Sequence, residues 1–124
     1  MSVLLLISAA FATIFVAFGV NAILQPSNTL TFFELSAPTA PADRQIVDAL
    51  LAVYGVRDIF MGAAIYAAAY FGSRKALGWI VISGSAVAFA DGAVCQVYAG
   101  NGAWNHWGYA PVLTVVGGLL ALGY

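Results

Sequence analysis

The sequence predicts an all-α integral membrane protein folded as a four-helix transmembrane bundle. Of its 124 residues, 63% are hydrophobic and 7% are charged, whereas soluble domains average roughly a quarter charged residues. Its apolar residues form long runs of the length that crosses a bilayer, about 20 residues. Clusters of proline, glycine and asparagine separate these runs from one another. At this length we expect a single domain covering residues 1–124.

The first helix is expected at residues 3–24, because Val3 to Leu24 form a continuous apolar run without charge. No basic segment precedes the run and it continues beyond any cleavage site, so a spanning helix is favoured over a cleaved signal peptide. Asn21 is polar near the end of this helix. It is a candidate to line the bundle interior and contact a substrate, and the alternative is an interfacial helix end.

Residues 25–44 form the only sizeable connection, in which Pro26, Pro38 and Pro41 oppose a regular helix. Its middle part, residues 30–35, is amphipathic and too apolar for a free linker. We therefore expect this part either to lie in the membrane interface or to fold back as a lid over the mouth of the bundle.

Three further helices are expected at residues 45–71, 76–98 and 109–124. The turn between the second and third helices carries Arg74 and Lys75, which the positive-inside rule assigns to the cytoplasm. With an even number of spans, both termini are then cytoplasmic as well. The last helix is short for a full crossing, so either the natural chain continues or this helix lies shallow in the membrane.

Ionisable side chains within these spans are the candidates for function, because they are costly at that depth and usually face a bundle interior or a wet cavity. Arg57 and Asp58 lie in the second helix, and Asp91 is the only charged residue within the third. Side chains lean toward the N-terminus of their own helix, which brings Arg57 and Asp91 toward each other. Arg57 and Asp58 lie about 100° apart around their helix and are not expected to face each other.

A cluster of two aspartates and one arginine suits acid–base catalysis. One aspartate, hydrogen-bonded to Arg57, can hold a proton and donate it, while the other stays ionised and takes a proton from water or from a substrate hydroxyl. This arrangement suits the opening of an epoxide, whose leaving oxygen needs a proton as the nucleophile arrives. Tyr54, Asn101, Asn105 and His106 are candidates to orient that nucleophile.

Other interpretations of the same residues remain open. An Arg–Asp pair can fix helix register inside a bundle without further function, although this leaves one of the three charges unexplained. Tyr98, Trp104 and Trp107 are candidates to contact a substrate, or they form an interfacial aromatic belt. His106 either assists catalysis or is a solvated loop side chain. The many glycines also fit a non-enzymatic membrane module that binds a lipid or sterol, or assembles with a partner protein.

Several classes of partner are disfavoured by composition. The net charge of −1 provides no basic patch for nucleic acid. The chain has one cysteine and one histidine, so neither a disulfide framework nor a Cys- or His-rich metal site is expected. We expect no cofactor and no metal. The expected partners are a lipophilic small-molecule substrate and membrane lipids, and a homo-oligomer is left open.

Three motifs resemble a known family: the run Val53 to Gly62 (VYGVRDIFMG), the triplet Ala90-Asp91-Gly92, and the segment Trp104 to Gly108 (WNHWG). The family comprises small four-helix integral membrane proteins of unknown function that are common in fungi. The resemblance covers most of the chain from Gln45 onward and, loosely, the first helix. The short fourth helix departs from the family pattern.

Some fungal members of that family resemble the membrane-bound epoxide hydrolases or cyclases of polyether polyketide pathways. The resemblance therefore implies an intramembrane epoxide hydrolase or epoxide-opening cyclase of natural-product biosynthesis, located in the endoplasmic reticulum if the protein is fungal. It also implies that Arg57, Asp58 and Asp91 occupy polar positions that matter.

Overall fold

The computed structural model describes residues 2–124 and confirms the all-α class, since no strand occurs in those residues. The long helices are α1 (Val3–Leu24), α3 (Pro41–Phe71), α4 (Arg74–Tyr98) and α6 (Ala110–Ala121). Two short elements are α2 (Pro26–Phe32) and α5 (Trp104–Trp107), the latter a single turn. The predicted count of four helices is wrong, because these two elements form inside segments that the sequence indicated as loops.

Local capping explains where the long helices begin. The Ser2 hydroxyl accepts a hydrogen bond from the Leu5 N–H at 3.3 Å and starts α1. Pro41 lies in the first turn of α3, where its missing N–H costs nothing, so the helix begins there and not at residue 45 as predicted. The Ser73 hydroxyl caps α4 through the Ala76 N–H at 3.1 Å, so this helix also begins before its predicted start at residue 76.

The bundle consists of two closely packed helix pairs. In the pair α1–α3, Gly19 and Gly55 meet backbone to backbone, so that a Cβ at either position would overlap the carbonyl oxygen of the other. In the pair α4–α6, a Cβ at Gly117 would lie 2.8 Å from the Gly78 carbonyl oxygen. Small residues allow such close approach of helices. Larger side chains therefore fill the space between the two pairs.

The helices of each pair are antiparallel, which places the chain ends together. Gly62 of α3 packs against Ala12 of α1, whereas the earlier Gly55 packs against residues later in α1. At the end of α6, the Tyr124 carbonyl accepts a hydrogen bond from Arg74 at the start of α4. Val3, the α3–α4 turn and Tyr124 thus share one end of the bundle, here called the turn end. The connections around α2 and α5 share the opposite end, here called the loop end.

The interior between the two pairs is apolar, and so is much of the exterior. The buried core includes Phe15, Ile65, Leu77, Val81, Leu113 and Leu120. Large apolar side chains are also exposed on the outward helix faces, among them Leu6, Val53, Phe60, Tyr70, Trp79 and Val97. By length and composition, α1 and α4 could each cross a membrane.

Candidate active site

Two buried aspartates occupy positions that the helix pattern otherwise fills with small or apolar residues. On α3 the buried positions Gly55, Asp58, Gly62 and Ile65 follow one another at helical spacing. On α4 a similar buried stripe includes Ala88, Asp91, Gly92 and Cys95. Gly55 and Gly62 pack against α1, whereas Asp58 and Asp91 face the cavity between the helix pairs. Each carboxylate is therefore held inside the bundle by the burial of its own helix face.

Arg57 joins these two aspartates through four hydrogen bonds. Its Nη1 donates to Asp91 Oδ1 at 3.2 Å, and its Nη2 donates to Asp91 Oδ2 at 2.9 Å. Its Nε and Nη2 donate to Asp58 Oδ1 at 3.2 and 3.1 Å. A guanidinium has five N–H donors in a planar fork, so it can engage two carboxylates at once. These three side chains are called the Asp–Arg–Asp cluster.

The contact between Arg57 and Asp91 confirms the prediction made from side-chain direction. The expectation that Arg57 and Asp58 do not face each other is wrong. Their Cβ atoms diverge around the helix, but the long arginine side chain lies across the helix surface and carries Nε and Nη2 to the neighbouring carboxylate. Angular spacing gives only the direction in which a side chain leaves the helix. The contact with Asp91, on another helix, determines where the Arg57 guanidinium lies.

Burial differs strongly within the cluster. The side chains of Asp58 and Asp91 are 6% and 12% exposed, whereas that of Arg57 is 37% exposed. The guanidinium carbon also lies 4.4 Å from the ring centroid of Tyr54, a cation–π contact. The carboxylates are thus the inner part of the cluster, and the cation closes it from the outside.

A small cavity of about 60 Å³ lies against the two carboxylates. Its polar lining comes from Asp58, Asp91, Tyr54, Tyr109, Thr29, Asn105 and His106, and its apolar lining from Phe15, Phe18, Phe32, Met61, Val87 and Ala88. About 10–15 Å³ of such space is enough to hold one water molecule, so the cavity suits a few water-sized groups. It can hold a nucleophile and a small reactive group, but not a large substrate.

A second space of about 220 Å³ adjoins the cavity along α1. Its lining is Phe11, Ile14, Phe15, Phe18, Asn105 and Tyr109. The Phe11 ring lies 6.4 Å from the Phe15 ring and 6.3 Å from the Tyr109 ring, between centroids. This space, called the α1 groove, carries no charged side chain in its lining.

Residues 26–35 cover the loop end of the cavity through the backbone carbonyl of Phe32. That oxygen accepts a hydrogen bond from Asn105 Nδ2 at 3.0 Å and lies 3.1 Å from His106 Nε2. The Cys95 thiol donates to the same oxygen at 3.8 Å. Of the two alternatives that the sequence left open, this segment folds back as a lid, and the name lid is used for it below.

The Phe33 side chain completes the closure. Its ring is buried and meets the Tyr54 ring edge-on at 5.6 Å and the His106 ring at 4.7 Å, between centroids. The next residue, Glu34, has a φ of 56°, uncommon for a residue other than glycine. Its carboxylate accepts a hydrogen bond from Asn105 at 3.1 Å. Lid and α5 are therefore joined directly above the aspartates.

Three of the residues predicted to assist the aspartates lie at the cavity. Tyr54, Asn105 and His106 all line it, whereas the fourth, Asn101, is exposed and does not. His106 is buried, so its interpretation as a solvated loop side chain is wrong. The lid covers it, and the lid could not be positioned from the sequence.

The other predicted contact residues lie away from the cavity. Tyr98 and Trp104 are each 76% exposed on the outside of the bundle. Trp107 donates its indole N–H to the Phe89 carbonyl at 3.0 Å, outside the cavity lining. Asn21 donates to Asn28 at 2.9 Å and to the cavity-lining Thr29 at 3.3 Å. It therefore ties α1 to the lid without lining the cavity itself.

Sequence reasoning did not single out several residues that line the cavity. Phe15 and Phe18 belong to a helix that is apolar on every side, so no periodic signal marks the face that reaches the site. Met61 stands one turn after Asp58 and could have been inferred from helical spacing alone. Within residues 2–124, no group of three or more His, Cys, Asp or Glu side chains is arranged to hold a metal ion.

Removal of the Phe33 ring is expected to expose Cys95, the only cysteine of the chain. The thiol is fully buried beneath the lid, and Phe33→Ala removes the ring that packs on Tyr54 and His106. We expect alkylation of Cys95 by a water-soluble maleimide to become at least about tenfold faster, equivalent to about 1.4 kcal/mol of local opening. Phe71→Ala, at an exposed position at the turn end, is the matched control. Equal rates in both variants would show that Phe33 does not hold the lid closed.

Fold and site together define an all-α bundle with one Asp–Arg–Asp cluster buried under a lid. The family model described as "Domain of unknown function (DUF4267)" matches residues 12–120. The chain belongs to this family, which confirms the resemblance to a family of unknown function. The match specifies no activity, so the likeness to epoxide hydrolases stays a prediction. No curated protein and no solved structure matches the chain.

Proposed function

We propose that this protein is a cofactor-independent membrane enzyme that opens epoxides in lipophilic substrates. Water is the nucleophile if it acts as an epoxide hydrolase, and a hydroxyl of the same substrate if it acts as a cyclase. One observation carries the proposal. Two buried aspartates share one guanidinium, and both line the same small cavity.

The charges of the cluster favour one bound proton. Two carboxylates and one guanidinium sum to one negative charge in a largely apolar interior, and one proton shared by the pair of carboxylates neutralises it. Arg57 engages both oxygens of Asp91 but only Oδ1 of Asp58. The Asp58 Oδ2 atom is therefore the best position for that proton. We assign Asp58 as the general acid and the ionised Asp91 as the general base.

The reaction then balances within the cluster. The oxygen of water attacks one epoxide carbon and forms a C–O bond, while Asp91 takes a proton from that water. The epoxide C–O bond breaks, its electron pair stays on oxygen, and this oxygen takes the proton of Asp58. The product is a diol, and transfer of the proton from Asp91 to Asp58 restores the starting state. Tyr54, Asn105 and His106 line the space in which the nucleophile is oriented.

In cyclisation the substrate hydroxyl replaces water, and the product is a cyclic ether with a new hydroxyl. Arg57 contacts both carboxylates at 2.9–3.2 Å. It can therefore stabilise the negative charge on either aspartate as the proton moves from one to the other. No cofactor takes part in either reaction.

A membrane location is supported by the surface of the bundle. Large apolar side chains cover its outward faces, and contiguous exposed apolar surface of this kind marks contact with lipid or with another protein. We propose that α1, α3, α4 and α6 together form the predicted membrane bundle. With 12 residues, α6 is about 18 Å long and is too short to cross a core of about 30 Å alone.

The turn end is proposed to face the cytoplasm. It carries Arg74 and Lys75, which the positive-inside rule assigns to that side. Val3 and Tyr124 lie at the same end, so both termini are proposed to be cytoplasmic. The lid and the cavity mouth then lie near the opposite membrane face. In a fungal cell the membrane proposed is that of the endoplasmic reticulum.

The proposal is tested with purified protein in detergent, a panel of lipophilic epoxides, and water enriched in heavy oxygen. We expect mass spectrometry to find a diol carrying one heavy oxygen, or an unlabelled cyclic product where the substrate carries a hydroxyl. The double variant Asp58→Asn/Asp91→Asn is the control for uncatalysed opening. Conversion no faster than in this control, across the whole panel, would contradict the proposal.

A non-enzymatic lipid-binding module is the second candidate function. The α1 groove favours it, because it is an apolar space of about 220 Å³ with no charged side chain in its lining. A binding module predicts that the two asparagine substitutions chiefly lower stability or lipid binding and that no epoxide is turned over. If the protein is an enzyme, we expect the wild type to bind lipid and turn over an epoxide, and the variants to bind lipid without turnover.

A further inference from the structure

We infer that the α1 groove binds the linear alkyl chain of the substrate and that this chain enters sideways, from the lipid. The inference rests on the proposed function only for what happens at the polar end of the molecule. Binding of the chain is a separate property that needs no turnover. The ligand class is thus an amphiphile with a slender apolar tail and a small polar or epoxide group at one end.

The groove and the cavity are continuous. Phe15, Phe18, Asn105 and Tyr109 line both spaces. A molecule in the groove that extends past these residues reaches the space lined by Asp58 and Asp91. The polar atoms of Asn105 and Tyr109 mark the transition between an apolar lining and a charged one.

The volumes of the two spaces favour placing the reacting group in the cavity and the alkyl chain in the groove. The cavity holds about 60 Å³, so only the reacting atoms of a lipophilic substrate fit there. The groove adds about 220 Å³, still below the roughly 300–1,000 Å³ of pockets that enclose drug-sized ligands. A flexible chain one methylene wide suits these dimensions better than a rigid fused-ring system such as a sterol.

The position of the groove indicates the route of entry. Ile14 and Phe18 are partly exposed on the outward face of α1, one of the two helices that could cross a membrane. The lid closes the loop end of the cavity through Phe32 and Phe33. A chain already dissolved in the bilayer can therefore reach the groove without opening the lid.

The test uses a photoreactive fatty alcohol, with a diazirine on its alkyl chain and no epoxide, added to the full-length protein in lipid nanodiscs. After illumination, mass spectrometry locates the cross-linked residues. We expect the label on residues that line the α1 groove. Ile14 lines the groove but not the cavity, so Ile14→Trp narrows the groove and leaves Asp58 and Asp91 in place; it should lower this labelling at least about tenfold. Leu6→Trp, at an exposed position on the same helix, is the matched control and should label like the wild type.

Two results would overturn the inference. One is labelling spread evenly over the outward face of α1, and the other is equal labelling of the Ile14→Trp and Leu6→Trp proteins. Because the probe cannot be turned over, the outcome is independent of catalysis. Labelling in the groove together with no conversion of any epoxide would keep the chain-binding site and reject the enzyme. Conversion of an epoxide without labelling in the groove would keep the enzyme and reject the chain-binding site.

Discussion

Asp91→Asn is expected to slow epoxide opening by about 10²–10⁴-fold, the usual contribution of a positioned general acid or base. The amide keeps the shape of the side chain but cannot take the proton of the nucleophile. Asp58→Asn should cause a loss of the same size, because the amide cannot donate a proton to the leaving oxygen as a carboxylic acid does. Initial rates with any epoxide that the wild type converts provide the measurement.

Asp48→Asn is the matched control for these variants. Asp48 lies on α3 with Asp58, but it neither pairs with Arg57 nor lines the cavity. We expect its rate to equal that of the wild type. If both cavity variants also kept wild-type rates, the catalytic roles of the aspartates would be excluded.

Stability measurements separate catalysis from a purely structural cluster. Replacement of one aspartate by asparagine leaves Arg57 paired with the other aspartate, and hydrogen bonds to charged groups contribute about 1.5–3 kcal/mol. Because the Arg57 side chain is 37% exposed, solvent screening reduces that loss, to about 1–2 kcal/mol by our expectation. If the cluster only fixes the register of the helices, we expect this loss of stability and no catalytic activity in the wild type or the variants. An enzyme predicts a rate effect much larger than the stability effect.

Gly55→Ala is expected to destabilise the bundle strongly, because the added methyl group overlaps the backbone of α1. The new Cβ would overlap the Gly19 carbonyl oxygen and lie 2.8 Å from Ile23 Cγ1. Backbone cannot move aside as a flexible side chain can, so α1 and α3 must separate. Overpacking of this kind usually costs about 1–3 kcal/mol, occasionally more, and we expect the upper end. Thermal unfolding in detergent is the measurement.

Gly118→Ala is the control for this substitution. No atom lies within 4 Å of a Cβ placed at Gly118, and alanine is favoured over glycine inside a helix by about 1 kcal/mol. We expect unchanged or slightly raised stability. The Gly55 variant should also lose activity, because Asp58 lies one turn further along α3 and moves with it. Equal stability of the two variants would show that α1 and α3 are not held together by this contact.

Helical spacing and side-chain direction were sufficient to predict that Arg57 and Asp91 meet. Both depend only on the geometry of the helix that carries each residue and on the helices being antiparallel, which short connections impose. The lid was predicted only as one of two alternatives, because an amphipathic segment can cover either a membrane surface or a bundle mouth. The sequence could not show which aromatic residues of the second loop face the cavity and which face outward. His106 faces the cavity and Trp104 faces outward, although both belong to the same apolar, glycine-rich stretch.

The sequence by itself determined the all-α class, the long apolar helices and the three charges on which the site is built, because apolar runs and buried charges follow from local chemistry. The tertiary structure alone decided that α1 pairs with α3 and α4 with α6. The glycines at these contacts allow close packing only once two particular helices meet: Gly19 and Gly55 in one pair, Gly78 and Gly117 in the other. It also decided that Phe33 of the lid packs on Tyr54 and His106 and that a groove along α1 adjoins the cavity. Those features depend on the shapes of several elements at once, and no single segment encodes them.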